Sequence, residues 1–222
     1  MKKVISFSLW GTSQKYTIGA IENAKLALEY YPGWVCRYYI ASSVPEEIIQ
    51  KLNKFKNTEI ILMEEEGDWT GMFWRFYAAS DPSVSIMISR DCDSRLGYRE
   101  KMAVQEWENS NKDFHIMRDH PHHATEILGG MWGCKSPLLL DMISFIKEYK
   151  KKGNFWQVDQ NFLREIIHPI IKNNAFVHDE FFQNMPFPVD RNGLEFVGQV
   201  FDKDNNQVLE YLEPLKRALG IK

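Results

Sequence analysis

The first half of the chain alternates short apolar runs with stretches in which apolar residues recur every three or four positions. Continuous runs bounded by turn-forming residues indicate buried strands, whereas the longer period indicates helices with one apolar face. The runs predict strands at residues 3–9, 34–40, 59–63 and 84–89. The periodic stretches predict helices at residues 17–30, from about 45, and at 71–80. Strands separated by helices need crossover connections, so we predict an α/β fold with a mostly parallel central sheet flanked by helices.

The second half is less regular. Its pattern predicts helices at residues 98–109, 136–152, 158–167 and 207–219, with short strands at 114–117 and 175–177. Ser136 would cap the second of these helices, Pro137 would take its first position, and the third would stop before Pro169. Residues 127–134 carry three glycines, which predicts a strand or loop that another part of the chain approaches closely. No repeat or linker interrupts the pattern, so we predict one domain over residues 1–222.

Composition narrows the class of protein. Of 222 residues, 44% are hydrophobic and 26% are charged, as in an ordinary globular protein. The formal net charge of −3 offers no basic surface for nucleic acid or for a membrane. No stretch approaches the roughly 20 apolar residues that span a bilayer, and the first apolar run is too short for a signal peptide. The three cysteines are widely spaced, which predicts no disulfide framework and a reducing, cytoplasmic environment.

Two aspartates spaced one residue apart, Asp91 and Asp93, follow directly after the predicted strand at 84–89. In open α/β sheets, ligands bind outside the carboxyl ends of the strands. A pair of carboxylates there suits Mn²⁺ or Mg²⁺, whose other ligands can be phosphate oxygens. The alternative is a simple turn, in which aspartate is common. Arg90 and Arg95 flank the pair, and each either reaches a phosphate or offsets the carboxylates.

Two more residues are candidates for the same site. His178 follows an apolar run and is a candidate third metal ligand because imidazole suits Mn²⁺; the alternative is a structural histidine. Gly71 begins a predicted helix, whose N-terminal amides can face an anion. Arg75, one turn later, can hold a phosphate with its fork of N–H groups, or it can be an ordinary surface arginine.

The loop after the first strand, residues 8–16, is where a mononucleotide-binding sheet holds base and ribose. Leu9, Trp10, Gly11 and Tyr16 are therefore candidate nucleoside contacts. Trp10 and Tyr16 can stack on a base, or they can be packing residues. The loop lacks both the glycine fingerprint of dinucleotide-binding enzymes and the P-loop of NTPases, which argues against those classes.

Candidate residues for an acceptor lie further along the chain. Asp159, followed by Gln160, opens a helix and can bind acceptor hydroxyls, act as a general base or simply cap the helix. The segment Gly129, Gly130, Met131 leads into Trp132, which would offer an apolar platform for a sugar.

Three histidines, His120, His122 and His123, lie in one loop around Pro121. The proline rules out a helical zinc-binding pair, and no cysteine is near. The loop therefore fits the lining of an acceptor pocket, with His120 as the candidate contact, better than it fits a zinc site.

The order of these features resembles that of GT-A-type glycosyltransferases, which use nucleotide-sugar donors and Mn²⁺. The resemblance covers roughly residues 3–200. Asp91-Cys92-Asp93-Ser94-Arg95 is similar to the D-x-D motif of the family, residues 159–163 resemble its D-Q-x-x-L, and His178 falls where many members carry a third metal ligand. Residues 114–121 and 127–133 are similar to a subgroup from bacteria and large viruses. The glycine-and-lysine pattern that follows the histidine in some retaining branches is missing, so the stereochemistry stays open.

The resemblance implies transfer of a hexose from an NDP-sugar, with UDP favoured, to a hydroxyl of a glycan or related acceptor. Asp91, Asp93 and His178 would hold the metal. Arg75, Cys92 and Arg95 would lie at the diphosphate, and Asp159 would face the reacting sugars. Residues 1–97 would bind the nucleotide, and residues 98–222 would bind the acceptor.

Three other functions stay open from the sequence. They are a nucleotidyltransferase that makes the NDP-sugar, a non-catalytic glycan-binding module of the same fold, and a zinc hydrolase built on the three loop histidines. The oligomeric state is also open.

Overall fold

A seven-stranded sheet lies at the centre of the part of the chain that this computed structural model describes, residues 1–139 and 141–221. The strands are β1 (Lys2–Leu9), β2 (Val35–Ala41), β3 (Thr58–Met63), β4 (Val84–Ser89), β5 (Phe114–Arg118), β6 (Trp132–Lys135) and β7 (Ala175–Asp179). They lie side by side in the order β3-β2-β1-β4-β6-β5-β7.

The sheet is mixed, with one reversed strand. β6 runs antiparallel to both of its neighbours, β4 and β5, while every other neighbouring pair is parallel. The carboxyl ends of β1, β4, β5 and β7 therefore meet at one edge of the sheet. The α/β fold with a mostly parallel sheet is thus confirmed, and the turn that carries Asp91 and Asp93 lies at the edge where the sequence predicted it.

Helices cover the sheet. They are α1 (Gln14–Tyr30), α2 (Glu46–Leu52), α3 (Tyr98–Glu108), α4 (Met142–Tyr149), α5 (Val158–Phe162), α6 (His168–Ile171) and α7 (Leu212–Ala218). The helix predicted at 71–80 is a 3₁₀ helix, Trp69–Ser80, and shorter 3₁₀ turns occupy Lys150–Lys152, Lys172–Asn174 and Leu209–Tyr211. Over the described ranges, no helix has the length and apolar character needed to cross a membrane.

The helix predicted to open at Ser136 begins instead at Met142, with Asp141 as its N-cap residue. The Ser136 hydroxyl is used elsewhere, because it lies 3.0 Å from the backbone carbonyls of Ala78 and Ala79 and can donate to them. This bond ties Ser136 to the end of the 3₁₀ helix Trp69–Ser80, and the helix that follows starts only after Asp141. The N-cap therefore lies at Asp141 and not at Ser136, five residues later than predicted.

The helix predicted at 158–167 does not stop before Pro169. After α5 the chain makes a π-helical turn, Leu163–Ile167, and continues into α6. Pro169 is the second residue of α6 and comes directly after the π-helical turn. The wider π turn lets the chain pass the proline and remain helical.

Apolar side chains pack against both faces of the sheet. Successive residues of β1 point to opposite faces, so that Val4 and Ile5 belong to different apolar clusters. On the α1 face, Phe7 stacks on a tyrosine of β2. On the opposite face, Phe76 of the 3₁₀ helix packs edge-on against Trp132 of β6, with ring centroids 5.6 Å apart. These two layers hold the carboxyl edge of the sheet in place.

A buried ion pair joins the end of β4 to α3. Arg90 Nε donates to Oε1 of Glu100 over 2.6 Å, and Arg90 Nη1 donates to the carbonyl of Ser89 over 2.7 Å. Tyr31 also donates its hydroxyl to Glu100, over 3.1 Å. Because both charged side chains are buried, Arg90 serves the fold and not a phosphate.

We expect Glu100→Ala to destabilise the protein by about 3–5 kcal/mol, because it leaves the Arg90 guanidinium buried without its carboxylate partner. The measurement is urea unfolding followed by circular dichroism. The matched control is Glu148→Ala, which removes an exposed ion pair with Lys151 and should change the free energy of unfolding by less than about 0.5 kcal/mol. Equal stability of the two variants would show that the buried pair does not anchor β4.

Candidate active site

Arg75 lies at the centre of a cluster of polar side chains at the carboxyl edge of the sheet. Its side chain is buried, and its two terminal nitrogens bind different carboxylates. Nη1 pairs with Oδ1 of Asp91, and Nη2 donates to Oδ2 of Asp159 over 2.8 Å. Because a guanidinium presents its donors in a fixed plane, Arg75 sets the spacing of the two acids.

The 3₁₀ helix that carries Arg75 is fixed at two points. At its start, the Asp68 carboxylate accepts a hydrogen bond from the Thr70 amide over 2.7 Å. In its middle, the Arg75 amide donates to the hydroxyl of Ser8, at the end of β1, over 3.0 Å. These bonds hold the helix against the first strand and direct Arg75 toward the turn after β4.

The turn after β4 presents Asp91. Its backbone carbonyl accepts hydrogen bonds from the amide of Ser94 at 3.3 Å and from the hydroxyl of Ser94 at 2.9 Å, which closes the turn. The Asp91 side chain remains 44% exposed. Cys92, by contrast, is buried beneath the turn with its thiol 3.5 Å from the Ser8 carbonyl. Asp91 can therefore reach a ligand, whereas the Cys92 side chain cannot.

Asp93 is paired with Lys15, which sequence reasoning did not single out. Lys15 Nζ lies 2.7 Å from Asp93 Oδ2. Burial and the neighbouring Asp91 raise the pKa of Asp93, and Lys15 opposes that shift. The one signal for Lys15 in the sequence is its place in the loop after β1, beside the candidate Tyr16.

Asp159 lies in the first turn of α5 and is buried. Burial raises the pKa of Asp159, while the ion pair with Arg75 lowers it. Two buried atoms of this pair, Asp159 Oδ1 and Arg75 Nε, have no hydrogen-bond partner among the described residues. Buried polar atoms without partners are rare in folded proteins, so these two atoms mark a place where the hydrogen bonding of the cluster is incomplete.

Gly129 and Gly130 allow the backbone to pass close to this cluster. The Gly129 amide donates to Oε1 of Gln160 over 3.1 Å. A Cβ atom on Gly129 would overlap the Arg75 guanidinium, and a Cβ atom on Gly130 would overlap the Asp91 carboxylate. The structure thus brings the predicted glycine pair, Gln160 and Asp159 to the same side of the site.

The charges of the cluster fit a cation and an anion bound together. When ionised, Asp91, Asp93 and Asp159 face two cations, Arg75 and Lys15, so one negative charge is in excess. Carboxylate oxygens are the donors that Mg²⁺ and Mn²⁺ prefer, and such ions usually take their remaining ligands from water and phosphate. The donor set of Asp91 and Asp93 therefore fits a divalent cation that is held partly by its substrate.

His178 does not join this cluster, which corrects its prediction as third metal ligand. It lies in β7, three strands from β4, or about 14 Å at the usual strand spacing. Its Nδ1 contacts Nε2 of His115 at 2.8 Å, and its Nε2 contacts Glu106 at 3.0 Å. Among residues 1–139 and 141–221, no group of three or more histidine, cysteine or acidic side chains is arranged to hold a metal.

Arg95 supports the turn after β4 and does not face Arg75, which corrects its prediction as a phosphate contact. Its Nη1 donates to the carbonyls of Ser94 at 2.8 Å and Cys92 at 3.4 Å. Its Nε donates to Asn205, and its guanidinium lies over the ring of Phe201. The donors of Arg95 thus tie the turn to the C-terminal segment.

The four predicted nucleoside contacts near the end of β1 lie in different environments. Leu9 is buried in the core, and the Gly11 amide donates to a serine hydroxyl after β2. Trp10 is half-buried and packs edge-on against Trp74. Tyr16 is 41% exposed and lies beside Lys15. Of the four predicted nucleoside contacts, Trp10 and Tyr16 retain accessible ring surface.

Met131 and Trp132 are core residues, which corrects their prediction as sugar contacts. Both are buried, Trp132 completely. Trp132 belongs to β6, the reversed strand, and its ring faces the apolar cluster that contains Phe76. A side chain with no solvent-accessible surface cannot serve as a platform for a sugar.

The three loop histidines do not form a zinc site. His120 is buried, its Nδ1 accepts from the His122 amide, and its Nε2 contacts the carbonyl of Tyr211 at 2.8 Å. His123 accepts from the amide of Asp119. His120 therefore ties the C-terminal segment to the sheet, which corrects its prediction as an acceptor contact.

Comparison with known proteins gives matches only among structures. No family model matches the chain, and no curated protein matches it. A glycosyltransferase involved in the glycosylation of the major capsid of PBCV-1 superposes with a TM-score of 0.54 at 17% identity, over 82% of this chain and 84% of that one. The chain has the GT-A glycosyltransferase fold.

Two further GT-A structures have similar scores. The galactosyltransferase LgtC, solved with donor and acceptor sugar analogs, matches with a TM-score of 0.51 at 10% identity, over 81% of this chain and 74% of that one. Glucosyl-3-phosphoglycerate synthase from Mycobacterium tuberculosis, solved with Mn²⁺, UDP and glucosyl-3-phosphoglycerate, matches with a TM-score of 0.50 at 10% identity, over 100% and 81% of the two chains.

In this GT-A fold we expect Gly130→Ala to destabilise the protein by about 1–3 kcal/mol, because the added methyl must displace the Asp91 carboxylate from Arg75. Chemical denaturation measures the effect. Gly97→Ala is the matched control, since a Cβ there meets no atom within 4 Å, and its cost should stay below about 1 kcal/mol. If both variants are equally stable, the close approach of Gly130 to Asp91 is not present in solution.

Proposed function

We propose that this chain is a metal-dependent glycosyltransferase that moves a hexose from an NDP-sugar to a hydroxyl of a glycan or related acceptor. The observation that supports this proposal best is the bridge from Arg75 to Asp91 and Asp159. It brings a cation-binding carboxylate, a phosphate-binding guanidinium and a candidate base to one place on a fold shared with glycosyltransferases.

The donor is held at the turn after β4. Asp91 and Asp93 would hold Mn²⁺ or Mg²⁺, which would supply positive charge to the leaving diphosphate. Arg75 and Lys15 lie next to these carboxylates and supply further positive charge to the diphosphate. Trp10, in the loop after β1, and Tyr16, in the first turn of α1, contact the nucleoside.

Asp159 faces the acceptor and the transferred sugar. A general base works best when its pKa approaches the operating pH, and burial raises the pKa of Asp159 in that direction. Arg75 keeps this carboxylate oriented through Oδ2 and leaves Oδ1 for a hydroxyl. Gly129, Gly130 and Gln160 line the same side of the site.

We favour UDP as the nucleotide, because the synthase from M. tuberculosis with the same fold was solved with Mn²⁺ and UDP. We also propose that the enzyme works in the cytoplasm. In support, Cys36, Cys92 and Cys134 are buried free thiols, the state that a reducing compartment maintains.

The donor site is tested by thermal unfolding with UDP, GDP or CDP, each with and without Mn²⁺. A nucleotide at about 100 times its dissociation constant should add ~2.7 kcal/mol of stability. For a chain of this size that is a rise in melting temperature of about 5–10 °C. The rise should depend on Mn²⁺, because Asp91 and Asp93 hold the diphosphate through the cation.

Asp93→Asn is the matched variant for this experiment. It should fold normally, because asparagine keeps the shape of the side chain and Lys15 is partly exposed, but it should lose the Mn²⁺-dependent part of the rise. Absence of a metal-dependent rise with all three nucleotides in the wild type would contradict the donor site. If Asp93→Asn shows the same Mn²⁺-dependent rise in melting temperature, the two aspartates only form a turn and Asp93 does not hold the cation.

A further inference from the structure

Trp69 and Trp156 are the exposed tryptophans of the chain's seven, at 46% and 66% of their surface. The remaining five are buried or half-buried: Trp10, Trp34, Trp74, Trp107 and Trp132. Tryptophan is usually well buried in folded proteins, because its large apolar surface is costly to expose to water. Two exposed indoles near one site therefore need a reason.

Both tryptophans lie beside a single hydrogen bond. Asn154 Nδ2 donates to Oδ2 of Asp68 over 2.6 Å, and the other oxygen of Asp68 caps the 3₁₀ helix that carries Arg75. Trp69 is adjacent to Asp68, and Trp156 follows Asn154 by two residues. Since consecutive Cα atoms are about 3.8 Å apart, the Cα atom of each tryptophan lies within about 8 Å of the Cα atom of the residue that makes this bond.

The segment that carries Trp156 leads directly into α5, the helix that carries Asp159. Gly153 and Gln157 both have left-handed backbone conformations, with φ of 119° and 63°, so the chain turns on each side of Trp156. Gln157 is the N-cap residue of α5, and Asp159 follows in the first turn. Trp156 is thus three residues from Asp159, and its side chain is exposed.

The lysines that precede this segment are all paired with acidic side chains. Three consecutive lysines precede it, and each has an acidic partner: Lys150 pairs with Glu65 at 2.9 Å, Lys151 with Glu148 at 2.5 Å and Lys152 with Glu165 at 2.7 Å. No cation of the lysine run is therefore left over to attract a phosphate or a carboxylate. Glu64, Glu66 and Asp68 precede Trp69 directly in the sequence, so this part of the surface has no excess of positive charge for an anionic acceptor.

We propose that Trp69 and Trp156 form the acceptor platform and that the acceptor is an uncharged saccharide, an inference that rests on the proposed glycosyl transfer. A pyranose ring has one face made of C–H groups, which packs on an indole ring, and a rim of hydroxyls, one of which can point to Asp159. The platform takes the role that Trp132, buried in the sheet, cannot fill.

The test measures acrylamide quenching of tryptophan fluorescence in the presence of UDP and Mn²⁺, with lactose, maltose and cellobiose as probes. Quenching reports chiefly on Trp69 and Trp156, because the other tryptophans are less accessible. We expect at least one disaccharide to reduce the quenching of wild-type tryptophan fluorescence by acrylamide. Trp156→Ala should weaken its apparent affinity about tenfold, and Trp156→Phe, which keeps an aromatic ring, should stay within about threefold.

Phe182→Ala is the matched control, since Phe182 is an exposed aromatic residue beyond β7, at the far edge of the sheet. It should bind the disaccharide as the wild type does. Each variant's stabilisation by UDP and Mn²⁺ checks that it is folded. The inference is overturned if nucleotide and Mn²⁺ bind but no disaccharide reduces quenching by acrylamide. It is also overturned if Trp156→Ala binds the disaccharide with the wild-type affinity. Loss of nucleotide binding by the wild type would instead refute the proposed function.

Discussion

The site depends on one buried arginine that holds two acids from distant parts of the chain. Asp91 belongs to the turn after β4, and Asp159 belongs to a helix of the second half; Arg75 binds both. Burial alone would lower the pKa of Arg75, but the two acids outweigh burial and raise it. Arg75 and Asp159 therefore stabilise each other in the interior, Asp91 adds a partly exposed carboxylate, and loss of Arg75 leaves Asp159 buried without its cation. Through this bridge, the two halves of the sequence form a common site.

The backbone also has to pass close to these charged side chains. Gly129 and Gly130 fit against Arg75 and Asp91 because they have no side chains. Lys15 performs for Asp93 what Arg75 performs for Asp91, so each carboxylate of the motif has its own cation. In the proposed reaction, the same two cations lie where the leaving diphosphate would develop its charge.

The sequence predicted the part of the site that local pattern controls. Strand β4 was bounded correctly, and the aspartates after it lie at the carboxyl edge because parallel strands share that edge. The direction of β6 could not be predicted, because an apolar run has the same pattern in a parallel and in an antiparallel strand. Trp132 is a core residue because β6 lies between β4 and β5 and the Trp132 ring packs in the cluster that contains Phe76. His178 was predicted by its place after a strand, but strand order, which sequence does not show, puts it three strands away.

Other differences have similar causes. Arg95 was predicted from its position next to the aspartates, yet its donors bond to backbone carbonyls of the turn, an arrangement set by the C-terminal segment that packs against it. Lys15 was missed because a lysine at the start of a helix is usually solvated. Only the folded chain shows that it faces Asp93. Local pattern thus located the edge of the site, and long-range packing decided which side chains occupy it.

In the proposed function, the Arg75 cluster binds a sugar nucleotide and supports loss of its diphosphate. A screen of NDP-sugars with Mn²⁺ tests this role by following release of the nucleoside diphosphate with water as the acceptor. The proposed function predicts Mn²⁺-dependent release from at least one of them, abolished by a chelator. A folded protein that binds nucleotide and Mn²⁺ but releases diphosphate from none of the NDP-sugars would contradict it.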